Sequence, residues 1–299
     1  MQVPSEAIEA IRGIFAQAND AATRMISRAP NIHEPALDQA ILSRLDEFAA
    51  PIQLGKDLFI RIDTHFLGGR RMWRTWEVAD IGVLVVFRIR GRFYRTKVAL
   101  LQSKRLYPKE EALAAPVSTA ALREGFGRLY PEQEDYEASI RPRVFAFDET
   151  CRYVALKKGD EQEKAVRHYE VERGMPVHYL FYNPQQLPWS VEVPLASPAT
   201  FENRLGVSII PSADLRKVTD QLSDGQSPTF AALREAVSFN EEGLLGRRFE
   251  NFIADRIIGC HEGYKTDNPE DRPLQSLFYE RSGPISAAIA ITIDLPDGG

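Results

Sequence analysis

One carboxylate, Asp80, stands at the head of an apolar β-type run, Ile81–Phe87, and the sequence later reads Gln102-Ser103-Lys104. Gly91 lies between them, and a reversal there returns the second segment antiparallel to the first. Asp80 and Lys104 then arrive at the same end of a sheet. Residues two apart on a strand share a face, so Gln102 and Lys104 point the same way. An acid, an amide oxygen and an ammonium meeting in a shallow site suit hydrolysis of a phosphodiester. Mg²⁺ is a hard cation that takes oxygen ligands, one or two carboxylates together with water and substrate phosphate. The expected ligands are Asp80, the Gln102 side-chain oxygen and the Ser103 carbonyl, with Mn²⁺ as a substitute ion. A further acid is wanted, and Glu34 is the candidate, with Glu77 in reserve. Lys104 would orient the attacking water or stabilise charge developing on the phosphate.

Each of these residues has a plainer reading. Asp80 would cap a turn before its strand, Lys104 and Arg105 would be a strand-end surface pair, and Glu34 would favour a helix N-terminus electrostatically. Tyr182, at the end of its strand, either approaches the site or, as the plainer expectation, packs against the sheet. The charge distribution weighs against the plainer readings. The chain carries 37 Lys and Arg against 42 Asp and Glu, a net −5. Between Arg61 and Arg105, however, 11 bases face three acids. Such a stretch in an acidic chain is the footprint of a polyanion site. Arg70, Arg71, Arg74 and Arg105 are the expected nucleic-acid contacts, with Trp73 and Trp76 either stacking on bases or packing in a core. Phosphate contacts do not separate DNA from RNA, so RNA stays open beside DNA.

Several function classes are excluded. The longest apolar run has seven residues, against about 20 for a membrane-spanning helix. Two cysteines and five histidines show no zinc-ligand spacing, and no phosphate loop or nucleophile elbow occurs. A cytoplasmic protein without membrane contact is expected, since the N-terminus has no signal-peptide layout.

Holding these side chains in place requires a sheet with helices around it. Ser5–Ala22 carries Ile8, Ile11, Ile14, Phe15 and Ala18 at helical spacing. After a break at Ala29-Pro30-Asn31, a second helix carries Leu37, Ile41, Leu42, Leu45 and Phe48, with Pro35 in its first turn. Leu58–Phe66, Asp80–Arg90 and Tyr94–Lys104 read as strands joined at Gly68-Gly69 and Gly91 into an antiparallel meander. A polar insertion fills about residues 106–140, and Arg143–Leu156 is β-rich. The charged helix Gly159–Arg173 leads into a strand, Pro176–Tyr182, as a parallel crossover, and Gly206–Ile210 is a short buried strand. From residue 211 onward helices are expected at Asp214–Leu222, Phe230–Val237 and Leu244–Ile258. A loop-rich stretch, 261–284, and a last strand, Ile285–Leu295, follow. The expected organisation is a nuclease-like core over 1–210, with a mostly helical C-terminal extension over 211–299 packed on it.

Asp80, a strand, a hairpin and Gln102-Ser103-Lys104 resemble the core of the PD-(D/E)XK nuclease superfamily. The closest pattern is the Gln-X-Lys branch typified by Mrr-type restriction enzymes. The resemblance covers about residues 31–182 and implies an α/β fold with a restriction-endonuclease-like αβββαβ core, a mixed central sheet flanked by helices. It further implies a Mg²⁺-dependent endonuclease cleaving DNA, with Asp80, Gln102 and Lys104 as site residues and Glu34 as the helix acid. The implied setting is restriction or antiphage defence. A partner subunit or NTPase would supply any energy coupling, because the chain has no ATPase motif, and a second copy of the chain is another possible partner. Ala79 stands where the superfamily name has Pro, and Gln102 removes one negative charge from the metal site. That substitution supports a second reading: a catalytically weak or inactive nuclease-fold module that binds nucleic acid or a partner protein without cutting.

Overall fold

Strand β4 (Arg92–Arg105) is buried at every position from Thr96 to Arg105, so both of its faces must be covered. Strand alternation sends Ala99 and Leu101 into one core, and Val98 and Leu100 into another. The first core is filled by helix α1 (Ser5–Arg28) and helix α2 (Glu34–Asp46), whose Ile11, Phe15, Leu37, Ile41 and Leu45 are fully buried. The second holds Val166 and Tyr169 of helix α3 (Glu161–Arg173), with Leu274 and Leu277 of a later helix. The result is a mixed α/β sheet flanked by helices. The computed structural model describes residues 3–67, 78–112, 143–193, 200–237, 245–259, 261–278 and 284–296. Gly68, Gly69, Arg70, Arg71, Trp73, Arg74, Trp76 and Glu77 lie outside the described residues, as does most of the expected insertion.

In chain order the strands are β1 (Ile52–Gly55), β2 (Leu58–Phe66), β3 (Ala79–Ile89), β4, β5 (Lys109–Ala112), β6 (Arg143–Phe147), β7 (Val177–Tyr182), β8 (Trp189–Val193), β9 (Ser208–Pro211), β10 (Arg247–Arg248), β11 (Tyr264–Thr266) and β12 (Ile285–Leu295). The main sheet has the order β1-β2-β12-β3-β4-β7-β9-β10, with β11 added on β4, while β5, β6 and β8 form a small antiparallel sheet. β3 and β4 make an antiparallel hairpin, turning through Arg90 (φ 51°) and Gly91 (φ 71°). β7 lies parallel to β4, and α3 is the crossover between them.

Three expectations are corrected. The meander is split, because β12 lies between β2 and β3, antiparallel to the first and parallel to the second. Its sequence, ISAAIAITIDL, is apolar on both sides and buried or half-buried throughout, which is the pattern of an interior strand. The region from residue 211 therefore does more than cover the core with helices. Only Arg143–Phe147 of the β-rich stretch is a strand. The loop-rich stretch contains β11 and a helix at Arg272–Phe278. Helices α4 (Ser212–Thr219), α5 (Phe230–Val237) and α6 (Phe249–Asn251) are followed by a π-helical segment, Phe252–Ile258, and α7 is Arg272–Phe278.

Candidate functional site

The register that pairs Ile81 with Leu101 puts Asp80 at the mouth of the hairpin, beside Gln102. Asp80 Oδ2 accepts from the Ser103 backbone N–H at 2.7 Å and from the Gln102 side-chain amide. Gln102 Oε1 is left buried with no hydrogen-bond partner. Because side chains alternate, Ser103 points to the other side of the strand, where its hydroxyl donates to Asp38 Oδ1 at 2.5 Å. The Tyr182 hydroxyl, at the end of β7, donates to the same oxygen at 2.5 Å. Lys104 returns to the Gln102 side and donates to Gln162 Oε1 at 2.7 Å; Gln162 lies in the first turn of α3. Glu34 begins α2, and its Oε1 accepts from the Arg105 backbone N–H at 3.2 Å. Asp38 follows one turn later on the same helix face.

The arrangement thus brings Glu34, Asp80, Gln102, Ser103 and Lys104 to one end of the sheet. It adds three residues with different sequence-level signals: Asp38, Tyr182 and Gln162. Tyr182 packs against the sheet as expected, but its hydroxyl also serves Asp38. Asp38 was visible in principle, since a carboxylate beside Leu37 and one turn before Ile41 and Leu42 interrupts an apolar stripe. Gln162 carries no such signal.

Arg105 is corrected. Its guanidinium is turned onto the link between α1 and α2, with the residue 5% exposed, so it is no surface contact for a phosphate. Its guanidinium donates to the Pro30 carbonyl at 2.9 Å and to the Ile32 carbonyl, and lies 3.9 Å above the Tyr107 ring centre. It ties the link between α1 and α2 to β4, which sets where Glu34 and Asp38 stand. Lys104, at 4% exposure, is likewise no surface lysine.

The carboxylates crowd one another. Burial, then Asp80 and Glu34, push Asp38 well above the ordinary carboxylate range, against the two hydroxyls that hold its charge. Asp80 is also raised, by burial and by Glu34, and the Lys104 ammonium and the Ser103 N–H oppose that rise. A bound cation would relieve this repulsion. Among the described residues no three His, Cys, Asp or Glu side chains form a metal-binding group. A cation here would therefore need a ligand beyond the acids, and a half-turn of the Gln102 amide would present the oxygen that now lacks a partner. The donors at this end of the sheet are all oxygens, which fits Mg²⁺ or Mn²⁺ and not zinc. No family model matches the chain, and no curated protein or solved structure matches it either.

Proposed function

We propose that this chain is a Mg²⁺-dependent endonuclease with a restriction-endonuclease-like core, hydrolysing phosphodiester bonds of DNA. One observation carries the reading: Asp80, Gln102 and Lys104 meet at the same end of adjacent strands, with Glu34 and Asp38 brought beside them by α2. The order α2, β2, β3, β4, α3, β7 supports the αβββαβ comparison, and the inserted β12 departs from it. The setting in restriction or antiphage defence, with a partner subunit or NTPase, rests on the sequence resemblance. Among the described residues no helix is long and apolar enough to cross a membrane.

Asp80, Glu34 and the Gln102 oxygen would hold the ion, with Asp38 next to them. When bound, Mg²⁺ supplies a more acidic water and offsets charge on the scissile phosphate. The chain's own groups do the positioning. The Ser103 N–H fixes the Asp80 carboxylate, and the Ser103 and Tyr182 hydroxyls fix Asp38. Gln162 aims the Lys104 ammonium, which keeps donors for a phosphate oxygen or for the water that attacks it. In a largely desolvated site such a contact is worth a few kcal/mol, about 3. Nicking of supercoiled plasmid with Mg²⁺ or Mn²⁺ tests the reading: wild type cuts, Asp80→Ala and Lys104→Ala do not. Equal cleavage by all three overturns it.

A second reading rests on Gln102, whose amide nitrogen bonds Asp80 where a third carboxylate would stand. The chain is then a nuclease-fold module that binds nucleic acid or a protein partner without cutting. Calorimetric titration with Mn²⁺ separates the two, because the binding module gives no saturable heat that Asp80→Ala removes. Its DNA affinity still falls steeply with salt.

A further inference from the structure

With Arg105 turned inward, other cations must hold a substrate backbone beside Lys104. Lys104 is the cross-strand partner of Phe181 on β7, and the Tyr153 ring stands edge-on to Phe181 with centres 4.7 Å apart. Residues 151–159 therefore run over β7 on the side of the sheet that carries Gln102 and Lys104. They lead into α3, whose first turn supplies Gln162 to Lys104. Gln102 and Lys104 are buried, whereas Glu34, Asp80 and Gln162 are half-exposed. A strand reaching Lys104 thus enters past Gln162, next to this segment.

The segment is a fixed ridge. Tyr153 and Leu156 are buried, and the Tyr153 hydroxyl donates to Asn183 at 2.5 Å. The backbone is held from both sides. The Arg152 carbonyl accepts from the Tyr107 N–H at 3.0 Å, while the Tyr153 and Lys158 N–H groups donate to the Pro228 and Gln226 carbonyls at 3.2 and 3.0 Å. Arg152, Val154 and Lys157 are left facing solvent. The ridge reads CRYVALKKG, three bases and no acid in a chain of net −5. Lys158 is engaged, donating to the Asp220 and Leu222 carbonyls at 2.8 and 2.5 Å. Arg152 donates one N–H to the Ser227 carbonyl at 2.5 Å and forms no ion pair among the described residues; Lys157 has no side-chain partner among them. The acids flanking the ridge are occupied: Asp148 by Lys109 and Glu149 by Arg234, each at 2.6 Å, and Asp160 by the Glu163 N–H.

Two uncompensated cations on a rigid ridge, one strand from a buried lysine, suit a run of phosphates. Surfaces for single strands interleave such cations with exposed aromatic rings that stack on bases. This ridge turns its one ring, Tyr153, inward and offers a valine between the cations, so it suits a backbone whose bases are paired. We propose that Arg152 and Lys157 are backbone contacts for double-stranded DNA, each holding a phosphate that flanks the one addressed by Lys104. The assignment rests on reading the Asp80 end as a nuclease site, but the grip itself does not require cleavage. Contacts of this kind fix position without reading sequence.

Fluorescence anisotropy of a labelled DNA duplex with the full chain, in EDTA so that nothing is cut, tests this. Lys157→Gln should weaken binding about fivefold at low salt and lower the slope of log K against log salt by about 1, equally for two unrelated sequences. Arg152→Gln should act likewise, and the double variant should lower the slope by about 2. Lys157→Arg should keep wild-type affinity. Lys265→Gln should keep it too, since that exposed lysine pairs with Lys97 toward the opposite end of β4. In plasmid nicking, Lys157→Gln should raise KM and leave kcat unchanged. Ridge-dependent binding by a chain that never nicks would sink the nuclease reading and leave the ridge assignment standing. No duplex binding by wild type, affinity untouched by both ridge variants, an equal loss with Lys265→Gln, or a loss seen only with an RNA duplex overturns the assignment. Untouched affinity is also the outcome if the ridge serves an acidic protein instead.

Discussion

Asp38 shows how a single residue can serve a site and burden the fold. It sits buried between two hydroxyl donors, with Asp80 and Glu34 adding like charge. Asparagine at position 38 keeps an oxygen to accept from Ser103 and Tyr182 but removes the repulsion. Asp38→Asn should therefore raise the melting temperature at neutral pH by roughly 2–4 °C, equivalent to about 1 kcal/mol, and weaken Mn²⁺ binding. A lower melting temperature would mean that the charge is already compensated. Tyr182→Phe leaves Asp38 one donor short and should cost about 1–2 kcal/mol in denaturant unfolding. Much at this scale was legible in the sequence. Strand alternation alone puts Gln102 and Lys104 on one side, because it depends only on neighbours in the chain. The Lys104–Gln162 and Tyr182–Asp38 contacts span 58 and 144 residues, and they arise from packing that no local pattern encodes.

Helix α3 and the π-helical segment show how elements hold such groups in place. Asp160 caps α3 by accepting from the Glu163 N–H at 2.8 Å, which satisfies one of the helix's open donors, while Glu163 accepts from the Gly159 N–H at 2.6 Å and ties the residue before the cap to the first turn. Asp160→Ala should cost about 1 kcal/mol, and by loosening the first turn that carries Gln162 it should reduce plasmid nicking further than that loss of stability alone would. Nicking that falls only in step with stability would detach Gln162 from Lys104. On the other side of the sheet, Lys97 donates to the Ile257 carbonyl at 2.6 Å, and Glu262 receives Arg256 at 2.6 Å and lies 3.3 Å from His178 Nε2. The His178 contact, then Arg256, against the opposing effect of burial, lowers Glu262 to about 2 from an ordinary 4.5. A depressed carboxylate stabilises the fold fully above its unfolded value and loses that contribution as pH falls through the folded one. Stability should therefore drop by up to about 3 kcal/mol between pH 4.5 and 2, in addition to whatever other groups contribute. Denaturant unfolding of Glu262→Gln against wild type should show the difference at pH 6 and none at pH 2; a constant difference would place the contribution elsewhere.

The molecule as a whole is closed by its C-terminal segment. The sequence made Ile285–Leu295 legible as a strand, since its length and β-branched residues suffice for that. Its place was not legible, because three strands in succession favour a meander even with the twelve residues that separate β2 from β3, and only the competition for partners across the sheet decides otherwise. β12 wins that competition: Ile289, Ile291 and Ile293 are fully buried, and its backbone pairs with β2 along one edge and with β3 along the other. Without it β2 would keep only β1 as a partner, and β3 would expose an apolar edge, which is a template for aggregation. Chain ending at residue 283 should therefore fail to give a cooperative thermal transition and should aggregate on refolding from urea, whereas ending at residue 296 should leave both folding and melting temperature unchanged. The split sheet also requires the last strand before the Asp80 end is in place, so plasmid nicking should be absent from the shorter chain under all metal conditions. A soluble, cooperatively melting product ending at residue 283 would show that β2 and β3 pair directly in its absence, and that the hairpin holding Asp80 and Lys104 stands without the strand beside it.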